Sequence, residues 1–125
     1  MRARVLHVKV GEPLESSLAR AVSTMESLQG GKAPAPYFGV GFSDMGQLLA
    51  IFTPRRWDLL GVLREDGPMS IAELARRLKR DYKNVYGDVE KLIEWGAVEK
   101  DEKGHVVAPY SEIIVDVRLP RGHVA

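Results

Sequence analysis

Residues 70–95 read SIAELARRLKRDYKNVYGDVEKLIEW, and their spacing predicts two helices joined by a turn too short for anything else, a helix-turn-helix. Ser70 is a helix N-cap, Glu73 completes a capping box with it, and Met69 and Leu74 occupy hydrophobic-staple positions. Ile71, Leu74, Ala75 and Leu78 then recur at three- and four-residue intervals, which gathers them on one face and leaves Arg76, Arg77 and Arg80 outside it. Asp81 is the natural N-cap of the second helix, because its carboxylate accepts from free backbone N–H groups and favours the positive end of the helix dipole. In that helix Val85, Val89, Leu92 and Ile93 form the apolar stripe.

Turning about 100° per residue from that stripe brings Lys83, Asn84, Gly87, Glu90 and Lys91 to the opposite side, with Tyr86 on a flank and Tyr82 nearer the core. Lys and Asn donate to phosphates and base edges, and Asn can pair bidentately with adenine. Lys83-Asn84 at the start of a second helix is therefore what a major-groove reader needs. A mid-helix glycine costs about 1 kcal/mol relative to alanine, so Gly87 has two readings. It marks the close approach of a bulky partner such as a DNA backbone, or it is a tolerated imperfection.

Composition sets the outer bounds. The 125 residues suit one domain, or a small domain with an extension, and an apolar content of 45% suffices for a packed core. No apolar run is long enough to cross a bilayer, and the opening MRARVLHVKV is too charged and alternating for a signal peptide, so a cytoplasmic protein is expected. The absence of cysteine excludes a disulfide framework, a thiol nucleophile and cysteine-ligated metal. A net charge of only +1 means that nucleic-acid contact must come from local segregation of charge. Five of the eight residues from Arg76 to Lys83 are basic, whereas acids crowd Asp88 to Glu102. A charge run on its own reads as a solvated face; inside a helix-turn-helix it reads as a phosphate-facing one.

The segments to either side complete a fold. Arg2 to Val10 reads as a strand with Leu6, Val8 and Val10 on one face. Leu14, Leu18, Val22, Met25 and Leu28 then mark an amphipathic helix closed by Gly30-Gly31, its stripe fitting a core or a dimer interface. Residues 30–36 read as a linker and Tyr37 to Phe42 as a short strand. Ser43 caps a short helix through Leu48, Leu49 and Phe52. Thr53-Pro54 starts another, with Phe52 and Trp57 at staple positions, Trp57, Leu60 and Leu63 inward, and an end at residues 65–68. Beyond Trp95, Gly96 ends the helix, Ala97-Val98 begin a strand, and residues 101–104 turn into Val106-Val107. That hairpin has the position of a wing, with Lys100, Lys103 and His105 at its tip, facing either phosphates or plain solvent. Finally Ile113, Val115, Val117 and Leu119 alternate until Pro120, a strand whose expected partner is the one at Arg2 to Val10, within a subunit or across a dimer.

On these residues Thr53 to Val107 resembles the MarR-like winged helix-turn-helix regulators, with SIAELARRL as positioning helix and DYKNVYGDVEKLIEWGAVEK running from recognition helix into wing. More widely, TPRRWDLLGVLREDGPMSIAELARRLKRDYKNVYGDVEKL and the closing strand resemble a small prokaryotic family of proposed DNA-binding proteins, some placed as the antitoxin half of toxin–antitoxin pairs. The resemblance implies an α+β fold: residues 1–52 as a strand–helix extension for dimerisation or partner binding, 53–109 as the winged helix-turn-helix, and 110–125 as a closing strand and tail. It implies a homodimer reading palindromic duplex DNA through Lys83, Asn84, Tyr86 and Gly87. Ser70, Arg76, Arg77, Arg80, Lys91, Lys100 and Lys103, with Arg55 and Arg56, are the further candidate contacts. Leu14, Leu18, Val22 and Met25 are the candidate dimer residues. One departure is Lys79, where many members of the superfamily have glycine.

Other chemistries lack residues to rest on. His7, His105 and His123 lie on separate elements without a second ligand at metal spacing, and Ser16, Ser17 and Ser23 have no paired base. No cofactor and no catalysis are expected. The rival readings are an antitoxin that neutralises a toxin and represses its own operon, and a winged helix used only for protein docking.

Overall fold

The computed structural model describes residues 4–11, 14–31 and 37–119, the first four residues of the helix at 14–29 by backbone alone. Within them the chain runs β1 (Val5–Val10), α1 (Leu14–Gln29), β2 (Phe38–Phe42), α2 (Met45–Ile51), α3 (Pro54–Asp66), α4 (Ile71–Leu78), α5 (Tyr82–Glu94), β3 (Glu99–Lys100), β4 (Val106–Val107) and β5 (Glu112–Val117). It is a mixed α/β protein. A parallel sheet has the order β2-β1-β5, and β3 and β4 form an antiparallel hairpin that an isolated bridge from Met69 to Val106 ties to the segment before α4.

Both neighbours of β1 are parallel to it, which demands long crossovers. The β1–β2 connection carries α1, whereas the return from β2 to β5 carries everything from α2 to β4. Leu6 pairs in register with Phe38 and Ile113, Val8 with Val40 and Val115, and Val10 with Phe42 and Val117. Partners across a ladder share a face, so these side chains form one apolar side. On the opposite side His7 stacks on Tyr37 with ring centroids 5.1 Å apart, and Lys9 pairs with Asp116 at 2.9 Å. The strand expected to begin at Arg2 begins at Val5, residues 1–3 lying outside the described set. Its expected partner is β5, and the pairing is made within one chain.

One apolar cluster joins the sheet to the helices. Leu6, Val8 and Phe42 belong to it together with Leu59 and Leu63 of α3, Leu74 of α4, Val85, Val89 and Leu92 of α5, and Val106. An aromatic chain crosses the junction: Trp95 stacks on Phe42 at 4.7 Å, Phe42 meets Phe52 edge-on at 6.1 Å, and Phe52 lies against Trp57 at 5.2 Å. That last contact is the staple expected at the start of α3. Phe52 is 1% exposed, so its truncation to alanine costs about 3–5 kcal/mol.

Several local readings shift by a residue or a partner. Asp44, not Ser43, caps α2, its carboxylate accepting from the Gln47 N–H at 2.8 Å; the Ser43 N–H donates instead to the Gln47 side chain. Ser70 caps α4 as expected, but the Glu73 carboxylate turns to Arg76 and Arg77 rather than back to Ser70, so only half of the capping box forms. Ala97 and Val98 are buried ahead of β3, which starts at Glu99. Tyr82, placed nearer the core by periodicity, is 52% exposed at the first position of α5, its ring leaning on Tyr86 rather than entering the core. On α1, Leu18, Val22, Met25 and Leu28 are all more than half exposed, so this stripe is not part of the chain's own core.

Candidate nucleic-acid interface

The turn between α4 and α5 fixes what α5 can present. Lys79 has φ 54° and ψ 47°, the only non-glycine residue with positive φ among those described. The Lys79 N–H donates to the Arg76 carbonyl and the Arg80 N–H to the Ala75 carbonyl, both at 3.1 Å, which is a Schellman closure. Glycine is the usual residue there because a Cβ raises the cost of the left-handed conformation. Lysine adopts the geometry that glycine would take, so the departure noted at this position leaves the turn intact. Asp81 then caps α5 through the Asn84 N–H at a long 3.4 Å.

Arginine side chains hold α5 in place from behind. Asp88 accepts from Arg56 Nε of α3 at 2.9 Å and from Arg80 Nη2 of the turn at 2.6 Å. Arg56 Nη1 also donates to the Ile51 carbonyl at the end of α2, at 2.8 Å. Side-chain exposure at this clamp is only 14–18%, so these are not loose surface pairs. Arg56 and Arg80 were candidate phosphate contacts; their guanidinium groups are turned to Asp88 and lock α2, α3 and the turn onto α5. Local periodicity cannot reveal a pair that spans 32 residues. The available sign was an acid one position beyond Gly87 on an otherwise basic approach.

The side of α5 turned away from the Val85–Val89–Leu92 stripe is open. Lys83, Asn84, Tyr86 and Gly87 are exposed, and neither the Lys83 nor the Asn84 side chain has a partner among the described residues. A Cβ built on Gly87 meets nothing within 4 Å. Tyr82 and Tyr86 lean on each other with centroids 6.1 Å apart and flank this strip. It offers an ammonium, an amide that both donates and accepts, two phenol hydroxyls and a gap in the side-chain surface.

The surrounding cations are balanced by acids. Arg76 pairs with Glu73 at 3.0 Å, Arg77 with Asp66 at 2.9 Å, Lys91 with Glu94 at 3.0 Å and Lys100 with Glu90 at 3.4 Å. Such exposed pairs are worth about 0–1 kcal/mol, so a phosphate can displace the acid at little cost. Arg55, Lys79 and Lys103 carry exposed side chains with no ion pair among the described residues. At the hairpin tip the Asp101 carboxylate accepts from the Lys103 and His105 N–H groups, both at 2.9 Å, which fixes the turn from which Lys103 projects. Ser70 spends its hydroxyl on the α4 cap. The candidate dimer residues Leu18, Val22 and Met25 stand together on open α1; the Leu14 side chain and His123 lie outside the described residues.

No helix among the described residues is long and apolar enough to cross a membrane. Comparison with curated proteins and with solved structures finds no match. A protein-family model, HVO_A0114, matches residues 51–115, which run from the last residue of α2 to the fourth of β5 and so include α4, α5 and the hairpin. That match takes in 65 of the 125 residues, and the chain belongs to the HVO_A0114 family.

Proposed function

We propose that the protein is a sequence-specific double-stranded DNA-binding transcriptional regulator of the MarR-like winged helix-turn-helix kind, acting as a homodimer and repressing from its operator. The observation that carries this reading is the unpartnered strip Lys83-Asn84-Gly87 on the exposed side of α5, held by the Arg56–Asp88–Arg80 clamp. In this reading α5 enters the major groove, where Asn84 reads a base edge and Lys83 a phosphate. Arg55, Arg76, Arg77, Lys79, Lys91 and the hairpin residues Lys100 and Lys103 supply further phosphate contacts, the hairpin acting as the wing. Arg80 and Arg56 serve as positioning residues behind the helix.

Gel shifts on a duplex from the protein's own promoter and on a scrambled duplex test this. Lys83→Ala is expected to weaken binding to both. Asn84→Ala costs about 1–3 kcal/mol on the specific duplex and relaxes preference at one base position. Unchanged binding in both variants refutes the assignment of α5. A second reading, protein docking including toxin neutralisation, draws on the open stripe Leu18, Val22, Met25 and Leu28 of α1. It requires Leu18→Glu to abolish partner binding.

A further inference from the structure

Among the described residues the parallel sheet ends on β5, which pairs with β1 on one side only. Its ladder to β1 is unbroken over six residues, and the sequence EIIVDV contains no proline or lysine to blunt the outer edge. Ile114, Val115 and Val117 are 43%, 38% and 37% exposed, aliphatic groups left at an open edge. Val115 and Val117 continue the apolar side formed by Val8 and Val10, so that side stops abruptly at solvent. An edge of this kind is a template for another strand.

We infer that the outer edge of β5 is a two-fold interface with a second copy of this chain, the two β5 strands pairing antiparallel about Val115 to join two three-stranded sheets into one of six. This gives a geometry to the homodimer of the proposed regulator and rests on that reading for its use.

Charge excludes two of the three registers centred on the middle of β5. A two-fold axis perpendicular to a continuous sheet pairs residues of the same face, so it must pass through a residue. About Ile114, Glu112 would face Asp116 of the second copy; about Asp116, that carboxylate would face its own copy. Like charges directly opposite each other destabilise a ladder. About Val115, Glu112 instead meets Arg118, twice by symmetry, while Ile113 meets Val117 and Val115 meets itself. Arg118 is placed for this because its N–H still donates to the Val10 carbonyl, which keeps it in line with β5. Ile114 meets Asp116, whose carboxylate remains on Lys9 and Arg118. A single strand pair is small beside the roughly 1,200–2,000 Å² of standard stable complexes. The pairing is therefore expected to be weak in free protein and to tighten when DNA holds two copies together.

The chain has no cysteine, so each single substitution introduces one thiol. Val115→Cys places two thiols on the axis at a Cα separation of about 4.5–5.5 Å, inside the disulfide range of about 4.4–6.8 Å. Ile114→Cys and Asp116→Cys would each lie two residues, about 7 Å along the strand, from their own copies. Under mild oxidation without DNA, V115C is expected to form dimer at least tenfold faster than I114C or D116C. Adding Glu112→Arg slows it, and adding Arg118→Glu as well restores it. Equal rates at the three positions, faster bridging at 114 or 116, or a V115C chain that stays monomeric overturns the inference. A V115C dimer that binds no DNA keeps the interface and refutes the regulator, whereas DNA binding by a chain that does not bridge does the reverse.

Discussion

Gly87→Ala sets folding against DNA binding. Gly87 is the sixth residue of the 13-residue α5, and an added Cβ meets no atom within 4 Å. No described residue opposes the methyl group, so the substitution gains only the helix propensity of alanine over glycine, about 1 kcal/mol. Unfolding entropy of about 2.1 cal/mol/K per residue over 125 residues gives roughly 0.26 kcal/mol/K. The expected rise in Tm is therefore about 4 °C by differential scanning calorimetry. On DNA the sign reverses. A methyl group forced between α5 and a closely approaching backbone costs about 1–3 kcal/mol, the range for overpacking a fitted surface, a loss of roughly five- to 150-fold in affinity. Fluorescence anisotropy on the promoter duplex reads that loss, and calorimetry of the same preparation excludes misfolding as its cause. A variant that is more stable and binds DNA as tightly as the wild type would show that Gly87 is not a point of close approach. A fall in Tm would refute the open-space account of the helix itself.

Other expectations draw on different parts of the structure. Lys79→Gly relieves a left-handed lysine, and after the entropy that glycine gains on unfolding the net stabilisation is about 0.5–1 kcal/mol, read as a higher urea midpoint; a lower midpoint refutes the strain. Asp88→Ala leaves Arg56 and Arg80 facing each other and costs about 2–3 kcal/mol, less than the roughly 3–5 of a fully buried pair because the clamp is slightly exposed; a loss under about 0.5 kcal/mol, the usual size at a featureless surface site, would show that it does not hold α5. Binding to promoter DNA between about 50 and 200 mM salt should fall with a log–log slope near −5 if three cations per subunit meet phosphates, and a flat response favours docking. Asp116 lies below the usual carboxylate range, held there by hydrogen bonds from Lys9 and then Arg118. A depressed carboxylate contributes stability above its unfolded pKa of about 3.9 and loses it as pH falls through the folded value. The stability gap between wild type and Asp116→Asn should therefore be constant near neutrality and close below about pH 4, as denaturant titrations at each pH would show.

The features legible in the sequence were those written over four or five consecutive residues. Ser70, Thr53 with Pro54, and Asp81 each announce a helix start, and the structure uses all three. Alternation placed Leu6, Val8 and Val10 on the buried side of β1 and named β5 as its partner, but it left the strand read at Tyr37 to Phe42 unpaired, whereas β2 takes the other edge of β1. The misses have physical causes. Tyr82 follows the inward phase of α5, but its ring lies against exposed Tyr86 instead of the core, a pairing that phase does not register. Asp44 outcompetes Ser43 as a cap by one residue, a difference that periodicity does not register. Arg56 and Arg80 looked like outward cations because their partner, Asp88, is reached only after three helices have folded together. For the candidate site, the outward strip of α5 could be read from phase alone, whereas which of its neighbouring charges were already engaged could not.

The path of the chain through its parallel sheet also governs the order in which the protein can be made. Val10 and Val117 are ladder partners, although 107 residues separate them in sequence. On a ribosome β1 emerges well ahead of β5, and it must wait through everything from α1 to β4 before its second neighbour exists. Until then Leu6, Val8 and Val10 form a sticky ribbon covered along one edge only, while the helices from α3 to α5 can already pack on each other. Long-range pairing of this sort is slow and leaves apolar surface open to misassembly. Truncation within β5 should therefore yield a chain whose helices are folded but which aggregates through β1, the strand left without its second neighbour.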